Sequence, residues 1–183
     1  MEAKVVFLGD AGVGKTCILQ RLLRNQFDPQ TLSTAGAQFV QKAMNYNGKQ
    51  IKLNLWDTAG QEKYRSLATM YYRNANAVLI IFDLTRQSSL DNVVYWYKQL
   101  QQAGISQNII IVGNKADSVR KVRRADAELV AESLYCPYFE CSAKTGDSIG
   151  SIFEKVCELV ENCSSKAVKP MKLVQEQKQG CCQ

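Results

Sequence analysis

The 183-residue sequence contains no histidine. That excludes a Ser-His-Asp triad, a Cys-His pair, a histidine general base and any zinc or haem held by imidazole. Long hydrophobic runs are also missing. The longest, Ala77 to Phe82, has six residues, against the roughly 20 that a membrane-spanning helix needs. Met1-Glu2-Ala3-Lys4 gives way at once to Val5-Val6-Phe7-Leu8, which leaves no room for the apolar centre of a secretory signal, so a cytosolic protein is expected. Among seven cysteines, Cys17, Cys136, Cys141, Cys157 and Cys163 are scattered, with neither a C-x-x-C pair nor metal-ligand spacing. They read as buried free thiols of a reducing compartment, not as a disulfide framework. Cys181-Cys182, next to the last residue, stand apart from them.

What is present is an ordinary globular composition, 46% hydrophobic and 22% charged, enough for one domain with a short extension. The net charge is +6, and Lys166, Lys169, Lys172 and Lys178 against Glu176 place +3 of it in the last 18 residues. The rest of the chain shows no basic stripe interleaved with aromatics, so a nucleic-acid partner is not expected. A basic tail that ends in cysteines points to a membrane surface instead.

Short apolar runs alternate with helical periods. Ala3–Leu8, Ala77–Phe82 and Ile109–Val112 read as strands buried on both faces, and Tyr138–Cys141 as a shorter one. Helical faces are formed by Ile18, Leu19, Leu22 and Leu23, by Leu90, Val93, Val94, Tyr97 and Leu100, and by Ile149, Ile152, Phe153, Val156 and Val160. Phe39–Met44 and Ile51–Trp56 flank an Asn47-Gly48 turn, the pattern of an antiparallel hairpin at the edge of an otherwise parallel sheet. The expectation is a doubly wound α/β domain over residues 1–163 and a flexible basic tail over 164–183, where periodicity fades.

Residues 9–16, Gly9-Asp10-Ala11-Gly12-Val13-Gly14-Lys15-Thr16, match G-x-x-x-x-G-K-[ST] between a strand and a helix. Glycines let the backbone turn its N–H groups inward around phosphate oxygens, and the helix start adds positive potential. Lys15 places a charge on the terminal phosphates, and the Thr16 hydroxyl is a ligand for Mg²⁺. The loop specifies a phosphate-chain binder and does not choose between ATP and GTP.

Further motifs follow strand ends. Asp57-Thr58-Ala59-Gly60-Gln61-Glu62 supplies a carboxylate for the metal's water shell, a backbone N–H at Gly60 and an amide at Gln61 that can orient water. Asn114-Lys115-Ala116-Asp117 supplies a carboxylate that can accept both N–H groups of a guanine edge, and Ser142-Ala143-Lys144 a backbone N–H for the guanine O6. Together these resemble the Ras-like small GTPases. Trp56, Tyr71-Tyr72-Arg73-Asn74-Ala75, Phe82-Asp83-Leu84-Thr85 and the terminal Cys181-Cys182-Gln183 are similar to hallmarks of the Rab family.

The resemblance implies a P-loop NTPase sheet of six strands, five parallel and one antiparallel at the edge, flanked by five helices. Ala11, Gly12, Val13, Gly14, Lys15, Thr16 and Cys17 would hold the phosphates, and Phe27 would pack on the guanine. Thr16 and Thr34 would ligate Mg²⁺, with Asp57 in its outer shell. Asn114, Lys115, Asp117, Ser142, Ala143 and Lys144 would frame the base. The implied activity is slow hydrolysis of GTP to GDP and phosphate. Gln61 would position the water, Lys15 would stabilise charge, and Gly60 and Thr34 would be tethered by the γ-phosphate. No internal arginine finger stands out, so an activating protein is expected.

The resemblance further implies a monomer controlling vesicle traffic. Its partners would be an exchange factor, an activating protein, a GDP-dissociation inhibitor or escort protein, and effectors. It would cycle between cytosol and intracellular membranes by geranylgeranylation of Cys181 and Cys182, since Gly180 occupies the place a C-a-a-X cysteine would need. Phe39, Trp56, Tyr71 and Tyr72 are candidates for an aromatic partner patch. Ala37, Gly113 and Ala116 lean toward the endocytic branch. Ala35 stands where the family usually has a β-branched residue, and Gln38 is uncommon there, which bears on partners and not on nucleotide binding. Two other readings are a metabolic P-loop kinase, for which no acceptor site or arginine-rich lid is visible, and a module that binds GTP without hydrolysing it.

Overall fold

A computed structural model describes residues 1–32, 34, 36–59 and 70–166, with side chains described as far as residue 163. The strands are β1 (Glu2–Leu8), β2 (Ala37–Tyr46), β3 (Lys49–Thr58), β4 (Ala77–Asp83), β5 (Ile109–Asn114) and β6 (Tyr138–Glu140). The helices among the described residues are α1 (Lys15–Arg24), α2 (Gln87–Asp91), α3 (Val93–Gln102), α4 (Arg124–Ser133) and α5 (Ile149–Lys166). The sheet order is β2-β3-β1-β4-β5-β6. All neighbours run parallel except β2 and β3. Among the described residues this is the six-stranded, five-helix architecture expected.

The hairpin closes as the sequence requires. Asn47 and Gly48 both have positive φ, 48° and 72°, the geometry of a type I′ turn whose twist matches that of the strands. Pairing then runs from Tyr46↔Lys49 to Ala37↔Thr58.

The central strands send alternate side chains to two cores, as period-two geometry dictates. Val5, Phe7, Leu79 and Ile81 pack under α1 and α5, while Val6, Leu8, Val78, Ile80 and Phe82 pack under α2, α3 and α4. Phe153 of α5 is fully buried, its ring centroid 6.1 Å from that of Phe7. Phe153→Ala is expected to destabilise the GDP-loaded protein by about 3–5 kcal/mol, read as a lower urea midpoint at fixed nucleotide. A loss below about 1 kcal/mol would mean that α5 is not a packed part of the core.

Two helices differ from the periodicity. The Leu90–Leu100 face is divided at Asn92 into α2 and α3, and Trp96, absent from that face as read, is buried between Val93 and Leu100. Helix α4 has no apolar stripe to read, because its buried face consists of Ala127 and Ala131 while Leu129 is 66% exposed. The cysteines are also less uniformly buried than expected: Cys141 and Cys157 are, Cys17 and Cys136 are half-buried, and Cys163 is exposed. Helix α5 continues to Lys166, past the point where periodicity fades. No helix among the described residues is long and apolar enough to cross a membrane.

Candidate functional site

A cavity of about 310 Å³ opens at the C-terminal ends of the parallel strands, where doubly wound sheets bind their ligands. Ala11, Gly12, Gly14, Lys15, Thr16, Cys17, Phe27, Thr34, Asn114, Lys115, Asp117, Ala143 and Lys144 all line it. Four segments far apart in sequence thus converge.

The phosphate loop follows β1 and enters α1. Gly9 is obligatory there: its φ is +136°, and a Cβ would lie 2.1 Å from the carbonyl oxygen of Ile81. Gly14, at φ +97°, packs so closely on Asn114 that a Cβ would lie 2.3 Å from its Nδ2. The Lys15 ammonium, buried at the loop's centre, donates to the carbonyls of Gly9 and Asp10 at 2.8 Å each. Burial lowers its pKa to about 8, Asp57 and Asp10 oppose that shift, and Arg86 reinforces it. The Val13 side chain is in the core, and its carbonyl accepts a bond from Asn114 Nδ2 at 2.8 Å.

Three oxygens meet beside this lysine. The Thr16 hydroxyl donates to Asp57 Oδ2 at 2.6 Å and lies 2.7 Å from Thr34 Oγ1, which is 3.3 Å from the same carboxylate oxygen. Asp57 Oδ1 is buried and has no hydrogen-bond partner among the described residues. Burial pushes the Asp57 carboxyl above its usual range, against the bonds from Thr16 and Thr34 and the charge of Lys15. Leaving a buried charged oxygen unsatisfied is costly. Two hydroxyls and a carboxylate form the hard-oxygen donor set that suits a small divalent cation.

The opposite end of the cavity is polar and braced. Ser142, fully buried, donates to Asp117 Oδ1 at 2.6 Å, and Ser118 donates to Oδ2 at 3.2 Å. Burial pushes the Asp117 carboxyl up, but the Ser142 and Ser118 bonds and the Lys144 charge leave it below the usual carboxylate range. Asn114 is buried and bonds the protein with both ends of its amide: besides the bond to Val13, its Oδ1 accepts from the Ala143 N–H at 3.1 Å. It therefore fastens the phosphate loop to the Ser142–Lys144 loop.

Sequence reasoning missed several supports. Arg21 of α1 reaches the Ala143 carbonyl at 2.9 Å and that of Lys144. Asp10 accepts from Asn92 Nδ2 at 2.8 Å and from Trp96 Nε1 at 3.1 Å. Arg86 donates to the Ala11 carbonyl at 3.0 Å. These long-range contacts belong to no local motif, so no sequence signal marks them. Asp28, Pro29, Thr31 and Leu32, which line the mouth, carry no phosphate or base signature either.

Outside the cavity, Phe39, 52% exposed, packs on Trp56 in a tilted arrangement with ring centroids 5.1 Å apart, and Trp56 packs likewise on Tyr71 at 6.2 Å. The Lys4 ammonium lies 5.2 Å from the Trp56 ring centroid. Tyr72 is 1% exposed and belongs to the core, not to a surface patch. Ala35, Gly60, Gln61, Cys181 and Cys182 lie outside the described residues.

The sequence model of the Ras family matches residues 4–162. The chain is 38% identical over 160 residues to the Ras-related protein SEC4 of Saccharomyces cerevisiae, covering 86% of this chain and 74% of that one. It is 36% identical over 190 residues to human Ras-related protein Rab-22A, covering 99% and 98% of the two chains. To bovine Ras-related protein Rab-27B it is 42% identical over 185 residues, covering 91% and 85%. A strand–loop–helix cradle, a carboxylate among two hydroxyls and a carboxylate-bearing base loop, on a chain with these relatives, place it in the Ras family on its Rab branch, a small GTPase that binds guanine nucleotide, hydrolyses GTP and serves vesicle traffic.

Proposed function

We propose that the protein is a Mg²⁺-dependent timer whose site residues divide the work as follows. Thr16 and Thr34 hold Mg²⁺ directly, and Asp57 holds it through the water shell. The single observation that carries this is the convergence of those three side chains on one point beside Lys15, with Asp57 Oδ1 buried and unpartnered among the described residues. When bound, the cation neutralises charge on the β- and γ-phosphates.

The remaining work falls to the chain. The loop N–H groups and Lys15 stabilise the charge that spreads over the phosphoryl oxygens as water attacks in line. Gln61 orients that water. Phe27 packs on the purine, Asp117 accepts its two edge N–H groups, and Ala143 and Lys144 close over O6. With the γ-phosphate present, Thr34 and Gly60 are tethered and two loops are ordered, and hydrolysis releases them. Phe39, Trp56 and Tyr71, which flank both segments in sequence, form the partner surface.

Residues 1–163 act as the GTPase domain. Residues 164–183 are a basic tether lipidated at Cys181 and Cys182, since two chains anchor where one is marginal. The protein cycles, as a monomer, between cytosol and the cytosolic face of intracellular membranes, handled by exchange, activating, dissociation-inhibiting and effector proteins. The endocytic assignment rests on Ala37, Gly113 and Ala116 alone.

Gln61→Leu tests the catalytic part. Hydrolysis stimulated by an activating protein is expected to slow at least about tenfold, because the water loses its orienting group. Single-turnover phosphate release measures it, and an unaltered rate removes Gln61 from the mechanism.

A further inference from the structure

Strand β4 is buried along its whole length, and its last residue, Asp83, is 4% exposed. The division of labour above gives this carboxylate no task. Its oxygens are nonetheless fully engaged. Oδ1 accepts from the Thr85 N–H at 2.9 Å and from the Thr85 hydroxyl at 2.7 Å. Oδ2 accepts from Lys115 Nζ at 2.7 Å. Burial pushes the Asp83 carboxyl up, but the Lys115 and Thr85 bonds outweigh it and hold the group below the usual range.

Lys115 reaches Asp83 because β4 and β5 end in register, Asp83 beside Asn114. The chain then turns through Lys115 at φ +69°, and the lysine lines the nucleotide cavity. Its side chain has a flexible four-carbon stem, which costs about 2 kcal/mol of rotamer entropy to hold still. A buried, fully hydrogen-bonded carboxylate can hold it, where a solvent-exposed partner would not. An asparagine would cap Thr85 equally well. The negative charge has a use only toward Lys115, and burying it is expensive unless it is paired.

The turn that follows Asp83 is itself fixed. Ser89 Oγ accepts from the Asp83 N–H at 3.0 Å and donates to the Arg86 carbonyl at 2.6 Å, and Arg86 in turn donates to Ala11. The support under Lys115 is thus tied to the phosphate loop.

We propose that Asp83 is a positioning residue for nucleotide retention: acting through Lys115, it holds that side chain along the wall at the base end of the cavity. The proposal rests on the reading of Lys115 as part of the base site. The test is a double-mutant cycle on the full chain loaded with a fluorescent GDP, with release followed in excess unlabelled GDP at fixed Mg²⁺. Asp83→Asn should speed release about tenfold, the worth of one charge-assisted bond. Lys115→Ala should speed it at least as much, and the double variant should be no faster than Lys115→Ala alone.

A purely structural Asp83 would add its effect to that of Lys115→Ala, and additivity overturns the proposal. So does unchanged release in Asp83→Asn when Lys115→Ala is fast. If Lys115→Ala itself leaves release unchanged, the base-site reading of Lys115 fails, and the proposal with it. Asp83→Glu, which keeps the charge but shifts it by one methylene, carries the same cycle should the asparagine variant not fold. Its faster release must vanish in the Lys115→Ala background.

Discussion

Asp117→Asn is expected to invert the protein's nucleotide preference, from guanine to xanthine. The guanine edge offers two donors, N1–H and the 2-amino group, and a carboxylate accepts both. In the variant one oxygen becomes an NH₂. The Ser142 hydroxyl donates to Oδ1 at 2.6 Å, so the amide keeps its oxygen there and turns its nitrogen to the Oδ2 position. That nitrogen then faces one of guanine's donors, and neither finds an acceptor.

Losing a charge-assisted bond and stranding two donors should cost about 3–6 kcal/mol, or about 10²–10⁴ in GTP affinity. Xanthine carries a carbonyl where guanine carries the amine, so the new NH₂ finds a partner and XTP affinity rises. The ion pair lost to Lys144, at 3.8 Å with the lysine side chain 65% exposed, contributes little to the change. Competition between GTP and XTP for the purified protein measures the inversion. Retained preference for GTP would take base reading away from Asp117.

The sequence discloses some parts of this site and withholds others. The phosphate loop, Asp57, the Asn114–Asp117 segment and Ser142–Lys144 each occupy a short run of sequence at a strand end, where local backbone geometry sets their place. Such segments are legible. The β2–β3 hairpin was legible for the same reason: Asn47-Gly48 encodes its own turn. Arg21, Asp83, Arg86, Asn92 and Trp96 act across separations of 32 to 122 residues, and a distance in space leaves no mark on local spacing. Helix α4 escaped because alanines fill its buried face, and small residues give periodicity no amplitude. Asn114 is a mixed case. Its motif places it at the base, and it lines the cavity there; its amide also bonds Val13 and Ala143, which makes it a brace between loops as well.

Thr16→Asn is expected to weaken GTP binding more than GDP binding. The Thr16 hydroxyl stands 2.6 Å from Asp57 Oδ2 and 2.7 Å from Thr34 Oγ1, so one atom meets both the carboxylate and the second hydroxyl of the proposed cation site. The longer asparagine withdraws that oxygen and turns an amide toward the point where the proposed cation would sit. A triphosphate would present a γ-phosphate to a cation held by these residues, and a diphosphate would not. The loss should therefore exceed that for GDP by about 10–100-fold, or roughly 1.4–2.7 kcal/mol. The Mg²⁺ concentration at half-maximal GTP retention should rise in parallel, since ligand loss acts on both by linkage.

Titrations of GTP and GDP affinity against Mg²⁺ separate this from general damage to the phosphate loop. Damage to the loop backbone at Gly14 would weaken both nucleotides alike and leave the Mg²⁺ midpoint in place. Equal losses with an unmoved midpoint would show that the Thr16 hydroxyl does not ligate the metal. The cluster of Thr16, Thr34 and Asp57 would then be a hydrogen-bonded closure of the cavity in the protein itself. The tether between γ-phosphate and Thr34 would have to run through the backbone of the loop.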